Sequence, residues 1–419
     1  MNRICKFVLI FFIFFSVSVF SEPRIDKKQT YKELERFTEA LSIVQQYYVD
    51  IVPLKKIIDG AIKGMVQNLD PSSEFMDQRQ YRDLQIQSKG EYGGLGMFIG
   101  IRDEILTVIA PMPDTPASRA GIKSGDRIVR IEGESTKGIQ AGDAVDKLRG
   151  KPGTQIKIVI WRKKDKKLQE LTLTREKIEI KPVQEEKIIK EDIGHIWLVQ
   201  FNEHTAGALD KSLENLKNKG MKRLILDLRN NPGGLLTSAI AVSERFLKEG
   251  DTIVSLSGKS ELGATKAIKS SGKHATTDIP LLVLVNGGSA SASEIVAGAI
   301  RDNKRGLIVG LKTYGKGSVQ TVIPLKDNYA LRLTTSRYYT PGGHRIDKGG
   351  ITPDIIIEEK PPFEVAKEKT AEQIFEDIEN DKVKEDETLE KEDVKFYDYQ
   401  LEQAVFLLKG FKFYEQIKK

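Results

Sequence analysis

At 419 residues the chain is too long for one ordinary core, so two to four domains are expected. Its 39% hydrophobic and 30% charged residues suit a soluble globular protein. The 66 basic and 60 acidic residues leave a net charge of +6, but the basic residues are scattered and not interleaved with aromatics, which argues against nucleic-acid binding.

The N-terminus reads as a targeting segment. Arg3 and Lys6 precede an uncharged run from Phe7 to Phe20, with Val19 and Ser21 at the −3 and −1 positions of a cleavage site. The run is shorter than the ~20 residues of a membrane span. Cleavage after Ser21 is expected, with an uncleaved inner-membrane anchor as the alternative. Cys5 lies before the apolar run, so it is not placed as a lipoprotein cysteine. Cleavage would remove the only cysteine and leave a charge of +4, with no disulfide, thiol nucleophile or thiolate ligand. A bacterial periplasm or cell envelope fits.

Residues 31–85 carry apolar residues at helical spacing, Leu34, Phe37, Leu41 and Val44, then Ile57, Ile58, Ala61 and Met65. Asp70-Pro71-Ser72-Ser73 supplies turn chemistry. Residues 88–176 differ: glycines cluster at Gly90, Gly93, Gly94, Gly96 and Gly100, and four β-rich runs follow, around helix candidates at 116–120 and 141–148. From Gly194 onward, apolar strands alternate with helices: strands at 194–201, 224–228 and 281–285, helices at 208–217, 237–247 and 292–301. That pattern predicts a largely parallel α/β layer. Residues 319–340 and 351–357 read as further strands, 358–398 as a charge-rich linker, and Leu401, Ala404, Val405 and Leu408 as a last helix.

The chemistry concentrates between Asn286 and Gln320. Ser289, Ser291 and Ser293 alternate with alanines at a strand-to-helix junction, and Lys316 follows between two glycines. A serine becomes a nucleophile when a base takes its proton, and a neutral lysine can do so. Neutrality requires burial, which lowers a lysine pKa. At a helix start Ser291 would have the unpaired N–H of Ala292 beside it, and the glycine pair Gly233-Gly234 can bring a second N–H to a developing oxyanion. For an isolated serine or lysine the ordinary roles are helix capping and surface charge. Gly310 to Gly317 nearly matches a phosphate loop, but Gly317 supplies no hydroxyl for Mg²⁺ and a strand follows it. The G-x-S-x-G pattern fails because Ser291 stands at its final glycine. His195, His204, His274 and His344 share no motif with Ser291 and lack zinc spacing, so no metal and no cofactor are expected.

Two resemblances sharpen this. Tyr92-Gly-Gly-Leu-Gly-Met97, Pro116-Ala-Ser-Arg-Ala-Gly-Ile122 and Gly125-Asp-Arg-Ile-Val-Arg-Ile131 resemble a PDZ domain in the permuted bacterial order, with Gly94, Leu95, Gly96 and Met97 as a backbone nest for a terminal carboxylate. Together with Gly64 to Pro71, Leu226 to Gly234, Ser289 to Glu294, Tyr314 to Gln320, Tyr339 to Gly343 and Gly350 to Asp354, the chain resembles the C-terminal processing peptidases, or tail-specific proteases, from about Tyr31 to Ile357. The resemblance implies a crotonase/ClpP-like α/β protease core with an inserted PDZ domain and helical terminal segments. It implies Ser291 as nucleophile, Lys316 as base, Gln320 as the residue orienting the lysine and Asp302 as an acid needed in some members. Ser72 or Ser73 replaces a histidine common in that motif, and His344 is another departure; neither touches the dyad. The expected domains are a signal peptide (1–21), a helical region (22–87), PDZ (88–176), the protease core (177–358) and a charged linker with a C-terminal helix (359–419). The expected partners are protein C-terminal tails, a second copy of the chain in a homodimer or higher oligomer, and an adaptor protein; membrane contact is expected only through an uncleaved N-terminal segment. Arg149 is a candidate for coupling PDZ to core. A catalytically dead binding scaffold and an acyl-CoA enzyme of the same fold superfamily are the alternatives.

Overall fold

The computed structural model describes residues 27–162, 167–259, 265–273, 279–359 and 398–417. The stretch expected to be a targeting segment, His274 and most of the charge-rich stretch expected to be a linker lie outside the described residues. The chain forms two units, 1–68 and 69–419.

The first unit holds α1 (Lys27–Tyr47) and α2 (Leu54–Gln67). The apolar spacing that predicts α1 is real, yet Tyr31, Leu34, Phe37 and Val44 stay exposed along it. The expected helical stretch to residue 85 is interrupted. Pro53 stands at the N-cap of α2, and the Asn68 side chain donates to Gly64 O (2.9 Å) as α2 ends.

The second unit begins with a turn in which the Asp70 carboxylate accepts from the N–H of Ser72 and Ser73 and from the Ser73 hydroxyl. A strand the sequence did not reveal follows, β1 (Glu74–Met76), then α3 (Gln78–Lys89), opened by an Asp77/Gln80 capping box. β2 (Glu91–Gly94) enters the glycine-rich module. The module comprises β3 (Met97–Arg102), β4 (Ile105–Pro111), α4 (Pro116–Arg119), β5 (Arg127–Ile131), β6 (Glu134–Ser135), α5 (Ala141–Leu148), β7 (Gln155–Arg162) and β8 (Lys167–Thr174). Its antiparallel sheet, in the order β3-β4-β5-β7-β8, closes over a core of its own that includes Leu106, Ile128, Ile158 and Leu148. The chain leaves through β9 (Glu176–Glu179), which pairs antiparallel with β2.

The core that follows comprises β10 (Val183–Ile189), β11 (Ile193–Leu198), α6 (Thr205–Asn218), β12 (Arg223–Asp227), α7 (Leu236–Glu244), β13 (Thr252–Gly258), β14 (Lys266–Lys269), β15 (Leu281–Val285), α8 (Ala292–Asp302), β16 (Leu307–Gly310), β17 (Ser318–Pro324), β18 (Ala330–Tyr339), β19 (Ile355–Ile356) and α9 (Tyr399–Ile417). One sheet runs β10-β11-β12-β15-β16-β19, parallel from β11 to β19. Alternate residues serve its two faces, as the period of a strand requires. Leu224, Leu226, Leu281, Val283 and Val285 pack in the cluster that holds α6, α7 and α8, whereas Ile225, Leu282 and Leu284 pack against Ala404, Val405 and Leu408 of α9. Strands buried on both sides read as continuous apolar runs, which is why β12 and β15 were legible. The second sheet, with β18 paired to β1, β13 and β17, was legible only in part: β13 and β14 carry too many polar residues to stand out. In the 351–357 stretch only Ile355–Ile356 is strand.

Candidate active site

Ser291 stands between β15 and α8 with φ +55° and ψ −109°. A non-glycine residue held there stores roughly 1–3 kcal/mol of strain, of the kind found where a serine is raised at a sharp strand-to-helix turn. The three serines separate cleanly. Ser289 is fully buried, donating to Leu228 O (2.8 Å) and accepting from Asn286 N–H (2.9 Å). Ser293 is fully buried and donates to Asn231 O (2.9 Å). Ser291 alone faces a cleft of about 360 Å³, shared with Lys316, Gln320, Gly233, Gly234 and Tyr338.

Glu294 organises this corner, and the sequence reading gave it no role. Its buried carboxylate accepts from Ser291 N–H (2.8 Å) and Lys316 N–H (2.9 Å) through one oxygen, and from the Thr313 hydroxyl (2.5 Å) and Gly315 N–H (2.7 Å) through the other. The helix that presents the serine thus also holds the loop that presents the lysine. The S-x-x-E spacing of a capping box was the available signal. Gly317 follows because no larger residue fits: a Cβ there would lie 2.3 Å from Asp347 N.

Burial, reinforced by the positive charge of Arg332, holds the Lys316 pKa below its ordinary 10.5. No carboxylate forms an ion pair with Lys316 among the described residues. Gln320 lines the same cleft, with its amide donating to Ser318 O (3.1 Å) and Oγ (2.7 Å).

Asn231 carries the 230–234 loop to the serine. Its buried side chain donates to Leu198 O (2.8 Å) and accepts from Gly233 N–H (2.9 Å), and its carbonyl accepts from Ala290 N–H (3.0 Å). Gly233 lies so close that an added Cβ would meet Ala292 N and the Ser291 Cβ at 2.9 Å; at Gly234 it would meet Phe201 O at 2.0 Å. With the Gly233 N–H given to Asn231, the N–H groups of Gly234 and Ala292 are those with no acceptor among the described hydrogen bonds. Asp302 is not in the cleft but at the far end of α8. It accepts from Gly342 N–H (2.8 Å) and Arg301 (2.9 Å). Burial opposes its ionisation, but the donors from Gly342 and Arg301 outweigh this and hold its pKa below the usual value.

Of the described histidines, none lines this cleft. His195 faces Asp227 (3.3 Å) in a separate cavity of about 630 Å³ beside Arg229, Asp398 and α9. Among the described residues no three His, Cys, Asp or Glu side chains are grouped to hold a metal ion, and no helix is long and apolar enough to cross a membrane.

The glycine-rich module has its own groove of about 330 Å³, bordered by Gly94–Ile99 on one side and Val145, Leu148 and Arg149 on the other. The Leu95 carbonyl accepts from Ala117 N–H, and that of Gly96 from Met112 N–H and the Thr115 hydroxyl. The N–H groups of Leu95 and Gly96 have no acceptor among the described hydrogen bonds. Arg149 stacks over Tyr92 (5.0 Å) and pairs with Asp83 (2.5 Å) on α3. Arg79 and Arg82 of α3 pair with Asp143 and Asp146 of α5, while Leu84, Gln87 and Ser88 of the same helix line the Ser291 cleft. This strut escaped the sequence reading, because ion pairs between distant exposed positions leave no local pattern.

The core and its inserted β-module define a class: serine-type peptidases that carry a PDZ domain. Residues 192–357 match peptidase family S41, residues 107–162 a PDZ domain and residues 16–80 the N-terminal domain of the activating protease CtpB. A carboxy-terminal-processing protease of Bartonella bacilliformis is 42% identical over 341 residues, covering 80% of this chain and 78% of that protein. The carboxy-terminal processing protease CtpA of Bacillus subtilis is 35% identical over 327 residues, 78% of this chain and 69% of its own. Among solved structures, a photosystem II D1 C-terminal processing protease is similar at 30% identity and a TM-score of 0.45, covering 78% of this chain and 93% of its own. The chain belongs to peptidase family S41, in its carboxy-terminal-processing group.

Proposed function

We propose that the protein is an exported endopeptidase that captures protein C-termini in its PDZ groove and cleaves them with a Ser291–Lys316 dyad. The observation that carries this reading is the joint anchoring of both residues on Glu294, in one cleft, with Lys316 depressed in pKa. Neutral Lys316 takes the Ser291 proton as Oγ attacks the scissile carbonyl. The tetrahedral oxyanion is met by the N–H of Ala292 and one from the Gly233-Gly234 pair. The leaving amine takes a proton from Lys316 as the acyl-enzyme forms, and Lys316 then activates the water that hydrolyses it. Gln320 orients the lysine. Asp302 acts at a distance, through the 340–343 segment it holds.

The free N–H groups of Leu95 and Gly96 support capture of a terminal carboxylate, and the apolar lining supports a hydrophobic tail. Arg149, tied to α3, is the coupling residue between that groove and the cleft. The N-terminal sequence supports export to the envelope, by signal cleavage or as an anchored form, with envelope proteins as substrates. Self-association through the helical ends, and an adaptor, follow by family likeness.

The test uses Ser291→Ala and Lys316→Ala proteins and an unfolded substrate with an apolar tail. Loss of cleavage in both, with the substrate still bound, is expected; cleavage retained in either removes the dyad. A dead binding scaffold would show capture without turnover in the unmodified protein.

A further inference from the structure

The Ser291 cleft is one-sided in charge. Among the described residues that line it, Lys316 and Arg332 carry the charged side chains, and no aspartate or glutamate takes part. Lys316 is the proposed base and acts when neutral, so Arg332 supplies the standing charge. Arg332 lies in β18, directly opposite Glu74 of β1 and Val322 of β17. Side chains directly opposite in a sheet share a face. Val322 lines the cleft beside Arg332, while Glu74 does not. Glu74 fixes the guanidinium from outside: its carboxylate accepts from Arg332 Nη2 (2.7 Å) and from the Gln80 amide (3.0 Å). Nη1 has no acceptor among the described hydrogen bonds. Nε is buried and has none either, a costly state for a charged donor. Beyond the effect of burial, the same charge lowers the Lys316 pKa, so the field of Arg332 reaches the reacting end of the cleft.

We propose that Arg332 is a specificity-determining residue of this cleft: its guanidinium donates to an aspartate or glutamate side chain at one position beside the scissile bond, and its charge disfavours lysine and arginine there. This rests on the Ser291–Lys316 reading and on capture of the tail by the PDZ groove. With the terminal carboxylate of the substrate held in that groove, the segment in the cleft is internal. Its side chains are then the only carboxylates it can offer. The apolar lining, which includes Leu84, Leu235, Leu236, Val319 and Val322, gives an incoming carboxylate no other cation to pair with. Such a wall also lowers the local dielectric, which strengthens the attraction to the guanidinium. The two grooves therefore read different features of one substrate: the PDZ groove reads the end of the tail, and the cleft reads the charge of the segment to be cut.

The test is a set of peptides that share one unfolded sequence and one apolar tail, and differ by Gln, Glu or Lys at a single position moved stepwise across the scissile bond. Mass spectrometry locates each cut, and kcat/KM is read on the alkaline plateau of each profile, where Lys316 is neutral. At one position the full-length protein is expected to cut the Glu peptide about 10-fold faster than the Gln peptide, the low end for a hydrogen bond to a charged group because the guanidinium is partly open to solvent. The Lys peptide should be slower than either. Arg332→Met keeps the stem that packs on the sheet and should abolish the preference for Glu. The Glu-to-Gln ratio is taken within one enzyme, so a change in folded fraction or in Lys316 cancels. A merely structural role for Arg332 would lower all the rates together and leave the ratio where it was. Glu74→Gln keeps an oxygen for Nη2 and removes the opposing charge. It should raise the ratio, and it decides the matter if Arg332→Met does not fold. Equal rates for Glu and Gln at every position in the unmodified protein, or a ratio unchanged in the variant that folds, overturns the proposal. If Ser291→Ala or Lys316→Ala retains cleavage, the dyad falls first; if both are inactive while the ratio ignores Arg332, only the specificity reading falls.

Discussion

Glu294→Gln is the sharpest probe of how the site is held. The carboxylate accepts four donors, two on each oxygen. An amide keeps one oxygen and turns the other into a donor, so two of the four lose their acceptor whichever way it is turned. The Thr313 hydroxyl can rotate away; a backbone N–H cannot. If the retained oxygen faces Thr313 and Gly315, the N–H groups of Ser291 and Lys316 are stranded. In the other orientation Gly315 is stranded and Thr313 adapts. At about 1–3 kcal/mol for each buried donor left unpaired, the cheaper orientation costs at least ~1–3 kcal/mol. Urea unfolding measures that loss, and kcat/KM on an unfolded substrate measures how far the serine and lysine drift apart. A drop in kcat/KM larger than stability explains is expected, since the variant disturbs both loops without touching a reacting atom. A variant within ~0.5 kcal/mol of the parent and fully active would show that Glu294 does not hold the serine and lysine loops together.

Arg332 shares the cleft with Lys316, and its charge lowers the lysine pKa in addition to burial. With Lys316 as the proposed base the active form is neutral lysine, so activity is expected to rise as pH passes upward through this pKa. Arg332→Met should move that limb of the kcat/KM profile to higher pH, and a limb that stays or moves down refutes the coupling. Gly317→Ala places a carbon 2.3 Å from Asp347 N. About 1–3 kcal/mol of destabilisation and a displaced Lys316 are expected, read by thermal unfolding and kcat. Arg229 bridges Asp227 and Asp398 (2.6 Å each) and so ties the start of α9 to the sheet. Arg229→Ala strands the buried Asp227 and should cost ~3–5 kcal/mol, and Asp398→Ala much less, by urea titration. The Asp227 pKa is lowered: burial would raise it, but hydrogen bonds from His195 and Arg229 prevail. Its stabilisation is therefore complete above the unfolded pKa of 3.8 and disappears as pH falls through the lower folded value, a loss that acid unfolding of Arg229→Ala should show to a smaller extent, because the bond from His195 remains.

The parallel core was legible because strands buried on both faces announce themselves as unbroken apolar runs. Ser291 and Lys316 were legible because glycines and small residues surround them in short motifs. Gln320 and Asp302 came only from likeness, and geometry alone would not have selected them: Gln320 bonds to Ser318 and Asp302 sits three helical turns from the serine. β1 has three residues, too few for an alternation to register, and depends on Thr334, which donates through N–H to Ser73 and through its hydroxyl to Asp70. Gly233 and Gly234 are adjacent in sequence and alike in type, and only the Asn231 side chain distinguishes them, by occupying the N–H of Gly233.

The chain enters and leaves its PDZ module through neighbouring strands, with Gly94 directly opposite Glu176 in the β2–β9 ladder. Two residues so paired are ~5 Å apart at Cα, a gap that a two-residue hairpin turn spans. The chain thus joins the module to the enzyme through a single narrow stem, with the ion pairs between α3 and the module bracing it from the side. Excising 95–175 and joining the stem with Asn-Gly removes a self-contained apolar cluster and exposes no sheet of the catalytic half. If the PDZ groove captures the substrate as proposed, grafting another peptide-reading module whose ends lie equally close at the same stem is expected to retarget the peptidase by exchange of a part.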